Sequence, residues 1–473
     1  MDQQSFRRFG HAMVDWVADY MAAVETMPVS ARVEPGDILR ALPADPPAGP
    51  EPMERIFEDF QTTILPGMTH WQHPGWFAYF PANTSPPSVL AEILTAGLGA
   101  QCMSWATSPA ATELEEAVLG WLGKMLGLPA GFTGVIQDTA STSTLVALLT
   151  ARERATGFAS GRDGMRRPLV VYASEEAHSS VEKAARIAGY GRENLRLVAA
   201  DGAYAMIPAA LERAVEEDAG RGLVPCCVVA TVGTTSSTAV DPLDAIGDVC
   251  RARGLWLHVD AAYAGTAALL PEMRWILEGA WKADSLVVNP HKWMLTGFDC
   301  SAYFVRDSAA LVRTFDVSPE YLRTAADDRV RNYRDWGIAL GRRFRALKLW
   351  FVIRSYGVEG LRAVVREHLR LAGLFRAWVE EDRRFELMAP SPFGLVVFRL
   401  NDGRGEEALD ALNRKLLALI NAPGKVFLTH TTLRGRYAIR MSIGQAATAE
   451  RHVRLAWDII SKAAADVLDP HPG

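Results

Sequence analysis

Between residues 134 and 290, five short β-rich runs (GVI, PLVVYAS, PCCVVATVG, LWLHVDAA and SLVVNP) recur, with helical segments such as SSVEKAARIAG, PAALERAVEEDAG and PLDAIGDVCRARG lying among them. The runs are only a few residues long and nearly continuous in apolar side chains, as strands buried on both faces are. Strands alternating with helices predict an α/β fold, a mostly parallel central sheet covered by helices on both faces. That architecture also says where chemistry belongs, because ligands of open α/β sheets bind beyond the carboxyl ends of the strands.

The flanking segments differ. Phe6, Phe9, Met13, Trp16, Val17, Tyr20 and Val24 form one apolar stripe at helical spacing, and so rich a stripe needs either the core or a second subunit against it. EPGDILRALPADPPAGPEPME is an irregular, Pro-rich connection, and THWQHPGWFAYFPANTSPP is too broken by prolines for a helix. In SPAATELEEAVLGWLGKMLGLP, Ser108 stands as N-cap, Pro109 at the first helical position and Gly127 where the helix should stop. After about residue 360 helices dominate, with two strands in FGLVVFRL and RYAIRMSI. The expected division is an N-terminal helical segment (1–85), a large domain (86–360) and a small C-terminal domain (361–473).

Composition narrows the function classes. With 49% hydrophobic and 22% charged residues, the chain has the mix of a globular protein with a large core. A net charge of −5 and the lack of any basic block give no nucleic-acid footprint. No apolar run approaches the roughly 18 residues of a membrane span, and the N-terminus lacks the apolar core of a signal peptide. Five scattered cysteines without a CxxC pair predict reduced thiols in a cytoplasmic protein, with neither a disulfide framework nor a metal site. Binding of a small molecule is the expectation.

Polar residues cluster where the strands should end. DTASTST follows GVI and precedes LVALL, so it presents hydroxyls and free N–H groups at a helix N-terminus, a favourable place for a phosphate. It lacks the GK[ST] of a nucleotide-triphosphate loop. In LWLHVDAAYAG a buried-looking strand ends on Asp260, whose carboxylate needs a cation or several hydrogen bonds if buried. SLVVNPHKW places Lys292 just past a strand end, either as a surface lysine or as one whose amine forms a Schiff base, since a buried lysine needs a use or a partner for its amine. A phosphate cradle, an acid and a lysine at successive strand ends suit pyridoxal 5′-phosphate: the lysine for a Schiff base, the acid for the pyridine nitrogen, the helix terminus for the phosphate. His178, in EEAHSSVEKAA, stands at a further strand-to-helix junction.

HPGWFAYFPAN, SWATSPAATELE, GVIQDTASTSTLVAL, EEAHSSVEKAA, TVGTTSSTAVDPL, HVDAAYAG, NPHKW, DWGIALGRRFRALKLW and IRMSI stand in this order between about residues 70 and 445. Together they resemble the aromatic-L-amino-acid (DOPA) decarboxylase family, the group II pyridoxal-phosphate-dependent decarboxylases. The resemblance implies a fold-type I, aspartate-aminotransferase-like subunit working as a homodimer, with N-terminal helices packed across the interface. It implies Lys292 as the Schiff-base lysine and Asp260 as partner of the pyridinium nitrogen. By the same resemblance His178 matches the histidine stacked on the ring, Thr235 the threonine near it, and Ala262 a residue packed against it. Thr139, Ala140 and Ser141 resemble the phosphate-binding turn, and Asn289 and His291 flank the lysine in an implied phosphate-side role.

Trp71, Tyr79, Phe80 and Pro81 resemble the aromatic wall of the substrate pocket, with Met103 contributed from the partner subunit. FDVSPEYLRTAADDRVRNYRDW resembles the family's mobile catalytic loop, and Tyr321 within it the tyrosine that protonates the product carbanion. Relatives with phenylalanine there look like oxidative aldehyde synthases. Gly341 suits a larger ring, indole or catechol, whereas Ala82 replaces the threonine of animal DOPA decarboxylases and puts a DOPA preference in doubt. The expected reaction is decarboxylation of an aromatic L-amino acid (DOPA, 5-hydroxytryptophan, tryptophan, tyrosine or phenylalanine) to its amine. The alternatives are an aldehyde synthase or an aminotransferase, the latter needing an arginine such as Arg440 for the substrate carboxylate.

Overall fold

The computed structural model describes residues 1–317, 320 and 327–469. Its central sheet has seven strands among the described residues: β1 (Thr133–Gln137), β2 (Leu169–Ser174), β3 (Leu195–Val198), β4 (Val224–Thr231), β5 (Trp256–Asp260), β6 (Ser285–Val288) and β7 (Ser301–Val305). They lie in the order β1-β7-β6-β5-β4-β2-β3. The run from β6 to β3 is parallel, and β7 is antiparallel to both β6 and β1. β1 therefore points the same way as β6, so the carboxyl ends of β1, β2, β4, β5 and β6 share one edge. The register sets Thr231 opposite Asp260 and Asp260 opposite Val287, which levels three of those ends.

Two strands of this central sheet escaped the sequence reading. β3 is a half-exposed four-residue edge strand, too short to announce itself. β7 begins with Ser-Ala-Tyr directly after the turn that follows Lys292, and its apolar character shows only once it is buried between β1 and β6. Apolar layers cover both faces of the sheet, one around Ala147, Val171 and Val229, the other around Ile246, Val259 and Leu286. The end of β4 is pinned by Asp241, whose carboxylate accepts from Thr231 N (2.7 Å) and Met206 N (2.7 Å). Burial without a cation pushes this carboxyl up to about 6, the two N–H groups opposing.

A second sheet contains β8 (Phe385–Leu387), β9 (Leu395–Leu400), β10 (Thr429–Leu433) and β11 (Arg436–Ser442), all antiparallel in the order β10-β11-β9-β8. The helical span Arg345–Glu381 joins the two regions and breaks at Gly357, whose φ of 64° is left-handed. The helix Pro109–Leu126 starts and stops where its signals put it, with Gly127 in the left-handed conformation. Ser108 does not cap it through its side chain; that hydroxyl donates to Gln101 O instead (3.2 Å). The N-terminal helix Gln3–Ala23 has no buried residue in the chain itself, and the Trp16 ring stacks on Tyr20 and meets Phe57 and Phe60 edge-on. All five cysteines are buried and free. Among the described residues no helix is long and apolar enough to cross a membrane, and no cluster of metal-ligating side chains occurs.

Candidate active site

Two adjoining cavities open beyond the shared strand edge. The smaller, about 220 Å³, is a cofactor-sized recess lined by the ends of β1, β4, β5 and β6. At its floor Asp260, buried at the end of β5, accepts from Ala262 N through Oδ1 (3.1 Å). Its second oxygen takes no hydrogen bond from a described residue. Thr139 precedes the helix Ala140–Ala155, so the N–H groups of Ala140 and Ser141 have no intrahelical partner and face the same recess. Asn289, directly after β6, is buried with Oδ1 unpartnered.

Lys292 follows on the single turn Pro290–Trp293. Its amine lies 5.5 Å from the centre of the Phe80 ring and makes no hydrogen bond or ion pair among the described residues. Desolvation lowers its pKa below the ordinary lysine value, with the Asp260 charge opposing. The neutral share of the amine is thereby enlarged, as a nucleophile requires.

Two histidines border the amine, each with its Nδ1 accepting a backbone N–H. His178 Nδ1 accepts from Ser180 N (3.1 Å) and lies 2.8 Å from Ser180 Oγ. An imidazole nitrogen that accepts a backbone N–H carries no proton, so in the neutral ring the proton sits on Nε2. Burial lowers this histidine's pKa, with Asp260 opposing, and favours the neutral ring. His291 Nδ1 likewise accepts from Cys300 N (2.9 Å), and burial together with the Lys292 charge pushes it down to about 3.

The larger cavity, about 520 Å³, carries the aromatic wall: Trp71, Tyr79, Phe80, Pro81 and Ala82 on one side, Phe298 on the other. Tyr79 is held at a positive φ of 52° and stacks on Trp71 (5.7 Å). Phe80 stacks on Tyr263 (3.8 Å), which in turn stacks on Trp293 (5.0 Å). Phe80, His178, Thr235, His291, Lys292 and Phe298 border both cavities, so the wall runs continuously into the recess.

Arg440 and Phe298 were missed as site residues of a decarboxylase. The chain alone offers Arg440 only as the carboxylate anchor of an aminotransferase, yet its side chain leaves β11 into the larger cavity. It donates to Thr235 O (2.7 Å), Tyr79 O (3.3 Å) and Thr429 Oγ1 (3.2 Å), and Nε has no partner. No carboxylate pairs with it among the described residues, and burial lowers its pKa to about 10. An arginine inside an apolar strand was the available signal, because such a charge is rarely buried without use. Phe298 left no signal in the sequence.

Met103 and Gly341 line neither cavity of their own chain. Met103 O accepts from Arg334 N (2.8 Å), and Gly341 sits at an exposed hollow beside Gln101 and Ile338. The segments 101–105 and 332–342 are cross-braced there, away from Lys292. Tyr321 lies outside the described residues.

These residues fit pyridoxal 5′-phosphate: an unpaired amine, an acid with a free oxygen, unpartnered helix N–H groups and an orphaned Asn289 oxygen converge on one recess. Comparison with known proteins agrees. Residues 35–401 match the pyridoxal-dependent decarboxylase conserved domain. Phenylacetaldehyde synthase of Arabidopsis thaliana is 45% identical over 479 residues, covering 99% of this chain and 97% of that protein. Aromatic-L-amino-acid decarboxylase of Bos taurus is 45% identical over 484 residues, covering 99% and 98%. The crystal structure of Oryza sativa TDC with PLP and tryptamine superposes with a TM-score of 0.96 at 39% identity, covering 99% of each chain. The chain therefore belongs to the pyridoxal-dependent decarboxylase family, as a carboxy-lyase whose cofactor is pyridoxal 5′-phosphate.

Proposed function

We propose that this enzyme removes the α-carboxylate of an aromatic L-amino acid and releases the amine. The observation that carries this reading is the continuous path from the aromatic wall at Trp71, Tyr79 and Phe80 to the amine of Lys292. Pyridoxal phosphate, when bound, supplies an electron-withdrawing ring that accepts the charge left at the α-carbon. The chain does the rest. Thr139, Ala140, Ser141 and Asn289 would hold its phosphate, and Asp260 would hold its ring nitrogen protonated. The ring of the substrate lies along the wall, which excludes water from the reacting carbon.

Arg440 adds positive charge at the cavity edge and draws the substrate carboxylate inward. Its main donors are already engaged with Thr235 O and Tyr79 O, so it steers the carboxylate more than it clamps it. That arrangement favours loss of CO2 over transamination. His178 offers Nε2–H beside Lys292, and Tyr321, by resemblance, donates the proton that completes the amine. Ala82 offers a methyl group to the ring, so ring hydroxyls gain no hydrogen bond there.

The test is product analysis of PLP-loaded protein with tryptophan, 5-hydroxytryptophan, phenylalanine, tyrosine and DOPA, scoring amine, aldehyde, CO2 and H2O2. Amine and CO2 are expected, with kcat/KM for tryptophan or phenylalanine above that for DOPA. Aldehyde with peroxide would make the enzyme a synthase like its Arabidopsis relative. In the same assay Arg440→Met should raise KM by about 10- to 100-fold, the worth of one positive charge several ångströms from the carboxylate in a partly desolvated cavity. An unchanged KM would remove Arg440 from substrate binding.

We further propose a homodimer. Leu90, Ile93, Leu94 and Leu98 form an exposed apolar stripe on the helix Pro86–Leu98, and the N-terminal helix is equally unburied. Met103 and Gly341 would then complete the pocket of the second subunit. Sedimentation should give twice the 51.7 kDa chain mass; a monomer with full activity would refute the shared pocket.

A further inference from the structure

Asn83 is fully buried between three segments far apart in the chain. Its Nδ2 donates to Lys292 O (3.0 Å) and to Gly444 O (2.7 Å), and its Oδ1 accepts from Ala446 N (2.8 Å). The partners dictate the amide orientation, since two carbonyls need the NH2 and one N–H needs the oxygen. Lys292 lies in the one-turn helix Pro290–Trp293, which is too short to supply a donor for its carbonyl, and Asn83 supplies one.

The 444–446 loop reaches the same place by two further routes. A side-chain carbon at Gly444 would meet Pro81 of the aromatic wall at 2.8 Å, so only glycine lets loop and wall touch. Gln445 O accepts from His368 Nε2 (3.0 Å), whose Nδ1 accepts from Trp293 Nε1 (2.9 Å), next to Lys292. The pocket wall, the lysine turn and the loop after β11 thus meet at one amide.

We propose that Asn83 is the positioning residue for Lys292. It fixes the lysine backbone to the substrate wall and to the C-terminal sheet, so that the amine meets cofactor and substrate at a set distance. This rests on the PLP chemistry assigned to the same site under the proposed function. Phe80 belongs to the same unit: it lies three residues before Asn83, and Lys292 packs on its ring. Ser85, two residues on, donates to Leu295 O (2.7 Å) and braces the same segments, but Asn83 is the side chain that bonds both the lysine turn, 209 residues away, and the 444–446 loop, 361 residues away.

Asn83→Asp is the sharpest variant. It preserves shape and the bond from Ala446 N but turns an acceptor-only oxygen toward two carbonyls. Thr448→Val is the control, since Thr448 Oγ1 donates to Pro74 O (2.8 Å) and bridges the same loop and segment without touching Lys292. Full-length protein stripped of cofactor is mixed with PLP, and the visible band of lysine-bound PLP is followed in time. Borohydride trapping and peptide mass give the occupancy of Lys292.

Asn83→Asp should slow band formation about tenfold, the effect of one buried unsatisfied group, while Thr448→Val stays within about twofold at a similar loss of melting temperature. Wild-type kinetics in Asn83→Asp, or equal slowing in Thr448→Val, would overturn the proposal. If Asn83→Asp fails to fold, Asn83→Ala decides by the same criterion, with about threefold slowing expected because a water can replace part of the amide. The band forms without any amino acid present, so failure to detect amine product would refute the reaction and leave the Asn83 result standing.

Discussion

Replacing Lys292 by alanine is expected to abolish turnover, with kcat falling by about 10⁴-fold or more, while the fold stays intact. The amine is the one nucleophile that both cavities share, and no described side chain could stand in for it. Ser141 and Thr235 are hydroxyls with no general base bonded to them among the described residues, Thr139 Oγ1 reaches the Asp138 carboxylate only at 3.5 Å, and His178 has its Nδ1 lone pair committed to Ser180. The substitution removes a poorly solvated cation whose pKa is already lowered by burial. The melting temperature of the cofactor-free protein should therefore stay level or rise. PLP would still be held by the phosphate turn and Asp260, but the visible band of the lysine adduct would be lost. Absorbance, product analysis and thermal melting of K292A read the three outcomes separately. An active K292A protein would remove the lysine from the chemistry; an inactive but unfolded one would make it structural.

Lys292, Asp260 and the DTASTST turn could be read from the chain because each directly succeeds a short apolar strand. In a parallel sheet, the residues just past a strand land at the ligand-binding edge, so local order predicts spatial neighbourhood. His178 and Asn289 gain from the same logic. Asn83 and Arg440 do not, because they reach the site from segments 209 and 205 residues away from the groups they bond. An asparagine in a Pro-rich stretch looks like any turn residue until the three carbonyl and N–H partners surround it. Arg440 was visible as an arginine in an apolar strand, but only the fold shows that no acid among the described residues answers it. Met103 and Gly341 illustrate the opposite limit: resemblance put them at the pocket, and a single chain keeps them away from it. Tyr321 is known only by resemblance.

Asp260→Asn should cost about 10³-fold in kcat, close to 4 kcal/mol of lost stabilisation of developing charge. The change is isosteric. An asparagine oxygen can still accept from Ala262 N at the 3.1 Å position, so the turn after β5 keeps its geometry and the register with Thr231 and Val287 is untouched. What changes is the second atom, which points an NH2 instead of a carboxylate oxygen into the recess. A donor there makes the ring nitrogen an acceptor, so the nitrogen loses its proton and the ring its pull on electrons. Binding of PLP should weaken far less than turnover, because the phosphate turn and Lys292 are unaltered. The decisive comparison loads D260N with N-methylated PLP, whose ring nitrogen carries a permanent positive charge. If Asp260 acts by holding that charge, the analogue should restore at least a tenth of the lost rate in D260N. If D260N keeps wild-type kcat, or if its lost activity shows no response to the analogue, the carboxylate is a geometric anchor and the electron sink is maintained by some other group.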